Sequence, residues 1–355
     1  MRARPAVGLR VVFRCDASCT IGYGHVSRCL TVGAAFVAAG ADVRFVMRDL
    51  DQEVSQRVES SGHGIVRLRD DADEIEDLRV TLNACQAVSS CLITDSHVLS
   101  EAFYARVRSA GVPLVSFDDF AGVAYASDLV INHNIGAEKL RYSVGPHTRL
   151  LLGPRYLPLR RPFRHLLGQP RPIRQQVGAV VVSLGGMPET ESASIILEGL
   201  RDWADAGRVE VTIVAGVRAP AGAVRTLREG LPSGGRVLVD PDLPRLLFGA
   251  DLAVVNGSVT AYEAAALGTP LIVTAVSENQ RAAVAEFCEA GVAAALPNVA
   301  DLTPAAVARL VAAVAADRDR RTEFSARGRA LVDGAGTDRI VEETLAVAVG
   351  TRTGT

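Results

Sequence analysis

Gly22-Tyr23-Gly24-His25 stands at the first strand-to-helix turn of the chain. Glycines on both sides of a tyrosine permit positive φ and let a ligand approach bare backbone. A histidine at a helix start meets the positive end of the helix dipole, which disfavours the imidazolium. A neutral imidazole can take a proton from an attacking hydroxyl or water. The alternative for His25 is a helix-capping residue in a glycine turn. The segment lacks the third glycine of a dinucleotide fingerprint. Asp16, directly after the preceding strand, joins His25 as a catalytic candidate.

A denser polar cluster lies in ADLAVVNGSVTAYEAAALGTPLIVTAVSENQ, residues 250–280. A strand ends at Asn256-Gly257-Ser258, and a helix starts near Thr260. Free N–H groups at 258–261, with two hydroxyls, make an anion site that needs no metal. Glu263, expected on the first helical turn, can accept from both hydroxyls of a ribose. Its alternative is a helix-dipole carboxylate worth a few tenths of a kcal/mol. Asn279 and Gln280 end the next strand and can cap the sugar or phosphate end. Gly185 and Gly186 close another strand, suited to a phosphate approaching the backbone or to an ordinary turn. Asp95-Ser96-His97, Asp118-Asp119 and Asn132-His133-Asn134 end further strands and suggest a polar pocket wall. His97 and His133 read as wall residues, since no spacing argues for a metal. Neither a metal nor a cofactor is expected.

The elements that must position these groups are legible as alternation. Apolar runs at 10–15, 42–47, 64–68, 91–95, 113–119, 128–132 and 149–153 are separated by helical stretches. The pattern resumes at 179–184, 209–216, 236–240, 251–256 and 270–276. Near-continuous apolar strands between helices mean parallel sheets covered on both faces. The expected fold is α/β, two doubly wound domains facing across a cleft, with ligands at the strand carboxyl ends. The 355 residues fit two domains, at roughly 100–200 residues each. The expected division is 1–154 (sugar side, with the base), 155–176 (linker), 177–336 (nucleotide side) and 337–355 (helix and tail). The arginines of the Pro/Arg-rich linker read as solvated, with a phosphate contact as the alternative. The acidic run 70–77 reads as a solvated helix face.

A net charge of -2 gives no pointer to nucleic acid or an anionic membrane. No apolar run is long enough to span a bilayer, and no signal peptide is read at the N-terminus. The cysteines match no zinc or redox spacing, and Cys29, Cys91 and Cys288 read as small buried hydrophobes. A reducing cytoplasm is the simplest setting.

Taken in order, RCDAS, IGYGHVSRCLTVGAAFVAAGADVRFV, LITDSH, VSFDDF, LVINHNIG, GPRYLPLR, VVSLGG and ADLAVVNGSVTAYEAAALGTPLIV…ENQ resemble one known family. It is that of the UDP-sugar hydrolase of the pseudaminic acid pathway, with its spore-coat polysaccharide glycosyltransferase relatives. The resemblance covers about residues 10–295. It implies the two-domain glycosyltransferase-B fold, similar to the lipid II-forming N-acetylglucosaminyltransferase. It implies metal-independent hydrolysis of a UDP-linked sugar, with His25 activating water for inverting attack at the anomeric carbon and UDP leaving. An inverting glycosyltransferase using the same donor, with an acceptor hydroxyl or amine as nucleophile, is the alternative. Thr260 and Glu263 match the nucleotide-binding helix, and Asn279-Gln280 the closing pair. Three segments depart from the family pattern. Gly257-Ser258-Val259-Thr260-Ala261-Tyr262-Glu263 stands for Gly-Gly-Ser-Thr-Thr-Trp-Glu and leans towards the transferases. Met187-Pro188 follows the glycine pair, and His97 stands where tyrosine is usual.

Overall fold

The computed structural model describes residues 6–16, 24–48, 52–87, 89–185, 190–216 and 219–350. The chain forms two compact units, Met1–Arg160 with Ala335–Thr355, and Arg161–Gly334.

The first unit runs β1 (Arg10–Cys15), α1 (Gly24–Ala38), β2 (Asp42–Met47), α2 (Gln52–Ser60), β3 (Gly64–Arg67), α3 (Glu74–Ala84), β4 (Ser90–Asp95) and α4 (Glu101–Ser109). It continues through β5 (Leu114–Phe117), β6 (Ala124–Tyr125), β7 (Leu129–Asn132), β8 (Ser143–Val144) and β9 (Arg149–Leu152). The second unit holds α5 (Arg161–Arg164), β10 (Ala179–Ser183), α6 (Thr190–Gly207), β11 (Glu210–Ala215), α7 (Ala221–Glu229), β12 (Arg236–Val239) and α8 (Leu243–Gly249). It ends with β13 (Leu252–Asn256), α9 (Val259–Ala266), β14 (Leu271–Thr274), α10 (Arg281–Glu289), β15 (Ala293–Ala295), α11 (Pro304–Ala316) and α12 (Arg318–Leu331). The last helix, α13 (Gly336–Gly350), returns to the first unit.

Each unit is a parallel sheet wrapped by helices. The orders are β3-β2-β1-β4-β5-β7-β9 and β12-β11-β10-β13-β14-β15. Val11, Val12 and Phe13 of β1 are all fully buried, as a strand covered on both faces requires. On one face Phe13 stacks on Phe45 at 4.9 Å, and α1 and α13 close that core through Phe36, Ile340 and Leu345. The opposite face holds Val12, Leu92, Phe103 and Val130. The order reverses between β1 and β4, and again between β10 and β13. At such a reversal the loops diverge to opposite faces and leave a crevice at the carboxyl ends.

Every strand read from the alternation is present. Three strands are additional. β15 is an alanine triplet, which carries little strand propensity, and β6 and β8 are two residues each. The linker arginines are corrected at Arg171. Arg171 donates to the carbonyls of Phe248 and Ala250 at the end of α8, and Arg174 pairs with Asp251 at 3.0 Å. Arg171 thus caps the end of α8 from a part-buried position, whereas Arg174 stays exposed, as expected, while pairing with Asp251. The acidic run is corrected at Asp77, which is 1 % exposed and takes the fork of the fully buried Arg14 at 2.7–3.0 Å. Asp73, by contrast, caps α3 by accepting from the Glu76 N–H at 2.8 Å. Cys29 and Cys91 are fully buried as expected; Cys288 is half-buried. Among the described residues no helix is long and apolar enough to cross a membrane.

His63 gives a stability prediction. It is 4 % exposed, lies 5.2 Å from Phe45, and neither ring nitrogen meets a partner among the described residues. Burial lowers its pKa below the ordinary value. The unfolded chain therefore binds this proton more readily, and stability is lost as pH falls below about 6.5. His63→Leu is expected to flatten this pH dependence by up to about 1.4 kcal/mol per pH unit below that point. Urea unfolding at pH 7.5 and 5.5 measures it.

Candidate active site

His25 is the second residue of α1, and Arg28 follows one turn later on the same buried face. Both reach across the strand-order reversal to the end of β4. His25 Nδ1 bonds Asp95 Oδ1. Arg28 donates to Asp95 through Nε at 2.5 Å and Nη2 at 2.6 Å, and to Asp119 through Nη1 at 2.8 Å and Nη2 at 2.9 Å. The guanidinium also lies 5.1 Å from the Phe117 ring centroid. One planar cation thus joins two carboxylates from neighbouring strand ends in bidentate geometry. Burial opposes ionisation of Asp95, but Arg28 and His25 outweigh it and hold the carboxyl well below the usual range. Asp119, also opposed by burial, is held low by Arg28 and His97. An ionised Asp95 on Nδ1 fixes the tautomer: the neutral ring carries its proton there and presents the Nε2 lone pair. Asp95, rather than the helix dipole, orients the His25 ring.

His97 completes the cluster. Its ring meets His25 edge-on at 4.6 Å, and its Nε2 lies 3.2 Å from Asp119 Oδ2. The hydrogen bond to Asp119 raises its pKa, against a smaller opposing effect of burial. Asn134 Nδ2 donates to Asp119 Oδ1 at 3.1 Å. His133, by contrast, is pushed down to about 4 by burial and by the Arg28 charge.

Donor atoms of His25, His97 and Asp119 lie within 4.8 Å of one another. They do not suit a metal. Both Asp119 oxygens already take the Arg28 fork, and a guanidinium beside the centre would repel a cation. The set is an ion-pair network.

The other first-unit candidates do not join it. Asp16 is 6 % exposed and has both oxygens engaged, by Arg14 at 2.6 Å and by Ser96. It ties the end of β1 to the turn after β4. Asp118 accepts from the Ala121 N–H at 2.8 Å, the Tyr125 hydroxyl at 2.8 Å and Asn132 Nδ2 at 3.2 Å. It shapes the loop that carries Asp119, in which Ala121 takes a left-handed φ of 54°. Gly24 is exposed at the start of α1, whereas Gly22 and Tyr23 lie outside the described residues. Sequence reasoning missed Arg28 as a site residue. The available signal was an arginine three residues after His25, on a helix face otherwise buried.

In the second unit, Asn256, Gly257 and Ser258 lie between the end of β13 and the start of α9. The free N–H expectation narrows here. Ser258 N–H donates to Asn256 O at 2.8 Å, and Ala261 N–H to Ser258 O at 2.9 Å. The N–H groups of Val259 and Thr260 meet no backbone acceptor among the described residues. Ser258 Oγ donates to Asn256 Oδ1 at 2.7 Å. Gly257 is required by space: a Cβ there would meet Val284 Cγ2 at 2.8 Å. Gly185, at φ 102°, sits beside Asn256 across the reversal; Gly186, Met187 and Pro188 lie outside the described residues. Glu263 is the fifth residue of α9, one residue further in than expected and just past the first turn, and is 1 % exposed. Gln280 Oε1 accepts from the Val276 N–H at 3.1 Å, and Asn279 Oδ1 from Ser277 at 2.6 Å. Both side chains brace the loop after β14.

No protein-family model matches the chain. The spore coat polysaccharide biosynthesis protein SpsG of Bacillus subtilis is 28% identical over 216 residues, 60% of this chain and 63% of that protein. The protein MJ1062 of Methanocaldococcus jannaschii is 21% identical over 290 residues, 77% of this chain and 57% of that protein. The chain thus spans about three fifths of the length of the curated relatives it matches. Among solved structures, MurG of Acinetobacter baumannii superposes with a TM-score of 0.67 at 13% identity, over 95% of this chain and 99% of that one. The calicheamicin glycosyltransferase CalG4 gives 0.63 at 16%, over 98% of both chains. MnaA of S. aureus, solved with UDP, gives 0.64 at 10%, over 96% and 97%. The chain therefore has the glycosyltransferase-B fold, two Rossmann-like domains with a relative in spore-coat polysaccharide biosynthesis.

Proposed function

We propose that the chain transfers a sugar from a UDP-linked donor to an acceptor hydroxyl or amine, with inversion at the anomeric carbon. The observation that carries this reading is the His25–Asp95 pair at the strand-order reversal of the first unit. The likeness to SpsG, the glycosyltransferase fold and the UDP bound by MnaA support it. His25 Nε2 takes the proton of the nucleophile as its oxygen or nitrogen bonds the anomeric carbon. Asp95 stabilises the imidazolium that forms. The bond from the anomeric carbon to the phosphate oxygen breaks with its electron pair, and UDP leaves. One displacement inverts the centre. The N–H groups of Val259 and Thr260, with their hydroxyl neighbours, offer a preorganised anion site for the diphosphate.

Hydrolysis is the second reading, with water in place of the acceptor, favoured by the family resemblance of the Gly-x-Gly-His segment. A panel of UDP-amino sugars, incubated without acceptor or metal and followed by proton NMR, separates the two. Slow UDP release that an acceptor accelerates supports transfer; rapid release of inverted free sugar supports hydrolysis.

Glu263 is assigned to the ribose hydroxyls. Glu263→Gln is expected to weaken UDP binding by about 1.5–3 kcal/mol, one charge-assisted hydrogen bond, with folding kept. Calorimetric titration with UDP reads it, and unchanged affinity removes Glu263 from the site.

A further inference from the structure

The proposed transfer uses His25 and leaves a second histidine of the same cluster without a task. Charge bookkeeping gives it one. Asp95 is a fully buried carboxylate and Asp119 a partly buried one, and Arg28 supplies one positive charge to both. One negative charge is left over. The groups around His97 are His25 and Arg28 from α1, Asp95 from β4, Asp119 and Phe120 from the loop after β5, and His133 and Asn134 beyond β7. Of these, Phe120 and Asn134 are neutral, and His133 is held neutral by its buried setting. His97 is hydrogen-bonded to Asp119, and its side chain is 45% exposed, so it can exchange protons with solvent. Its pKa is raised by that contact. A ring nitrogen of His97 and one of His25 lie within 4.8 Å. The rings meet edge-on with centroids 4.6 Å apart, so a substrate oxygen held at His25 lies beside the His97 ring.

We propose that His97 is the acid partner of His25: an imidazolium, held by Asp119, that hydrogen-bonds the substrate oxygen at the base and sets the charge of the site. This rests on the transfer reading above and assigns it a second substrate-contacting histidine. With His97 protonated, Arg28 and His97 balance Asp95 and Asp119, and the resting cluster is neutral. As His25 takes the nucleophile's proton the cluster becomes positive by one charge. Positive charge therefore appears only as negative charge develops on the departing diphosphate, the condition for transition-state rather than ground-state stabilisation. His97 forms no covalent bond and keeps its own proton. Once His97 is deprotonated, the same step ends on a neutral cluster and this stabilisation is lost.

The test combines two readouts on the full chain. Ring-proton NMR of the substrate-free protein is expected to show His97 titrating above 6.5, with the midpoint falling in Asp119→Asn. The pH profile of kcat/KM for the best donor of the UDP-amino sugar panel is expected to decline on the alkaline side. In His97→Gln that alkaline limb disappears, and kcat/KM at pH 6.5 falls by at least about tenfold, the loss of one charged hydrogen bond. The glutamine keeps a donor and sits at a half-exposed position, so folding is preserved. An unchanged alkaline limb in His97→Gln, or a His97 midpoint at or below 6.5, overturns the proposal. If no donor turns over in any assay, the transfer reading fails, and the titration alone decides the charge of His97.

Discussion

His25→Ala lowers turnover of the UDP-sugar donor by a factor of about 10³–10⁴ and leaves UDP affinity within a few-fold of wild type. The size follows from removing a general base and its oriented carboxylate contact together. The small effect on UDP is expected because His25 and Asp95 belong to the first unit, whereas the segment around Val259 and Thr260 proposed for the diphosphate belongs to the second. His25→Gln separates position from chemistry. Glutamine can keep a contact with Asp95 but takes up no proton, so its turnover is expected to stay near that of the alanine variant. Stopped assays of UDP release, paired with calorimetric UDP titration, read both quantities. A large loss of UDP affinity in either variant contradicts the assignment of His25 as base.

Arg28→Met is expected to be the most destabilising single change in the first unit. It leaves Asp95, which is fully buried, and Asp119, whose side chain is 15% exposed, without their shared cation. Breaking a buried ion pair by removing one partner costs about 3–5 kcal/mol. At the scale of a unit this size, that lowers the unfolding midpoint by about 6–20 °C. The pH dependence carries the diagnostic sign. In the wild type both carboxyls titrate below their unfolded value. Their stabilisation is complete above about pH 4 and is lost as pH falls through the folded values. In Arg28→Met, only His25 and His97 still oppose burial, and both carboxyls titrate higher than in the wild type. The variant's deficit therefore narrows as pH falls from 7 to 4. Arg28→Lys restores the charge without the fork and recovers part of the loss. A deficit that does not change with pH contradicts the view that Arg28 acts by neutralising this pair.

The sequence carried the frame of the molecule further than it carried the site. Strands such as 10–15 and 42–47 were legible to the residue, because a strand buried on both faces writes itself as a continuous apolar run. β15 was not, since alanine says nothing about which element it joins. The histidine after the Gly22-Tyr23-Gly24 segment and the Asn256–Ser258 turn were visible as polar groups at strand ends. Their partners were hidden by distance along the chain. His25 and Asp95 are 70 residues apart, and Arg28 and Asp119 are 91. Only the sheet order brings them together. Local spacing could not show that Asp119, not Asp118, takes the Arg28 fork, because adjacent carboxylates differ only in which way the loop turns. Nor could it show that Asp16 and Asp77 are bound by one arginine.

The turn in which Asp118 holds the backbone of Ala121 has a consequence for anyone who varies this chain. A left-handed alanine is disfavoured by about 1 kcal/mol or more and persists because its surroundings insist on it. Asp118 is part of that insistence. The two positions are therefore epistatic: the effect of replacing Asp118 depends on which residue occupies position 121. With alanine there, losing Asp118 lets the turn relax and carries Asp119 out of register with Arg28. With glycine there, the turn no longer depends on Asp118, and only the Tyr125 and Asn132 contacts are lost. Scanned one position at a time, Asp118 will score as if it touched substrate; only the double substitution reveals it as a fastening.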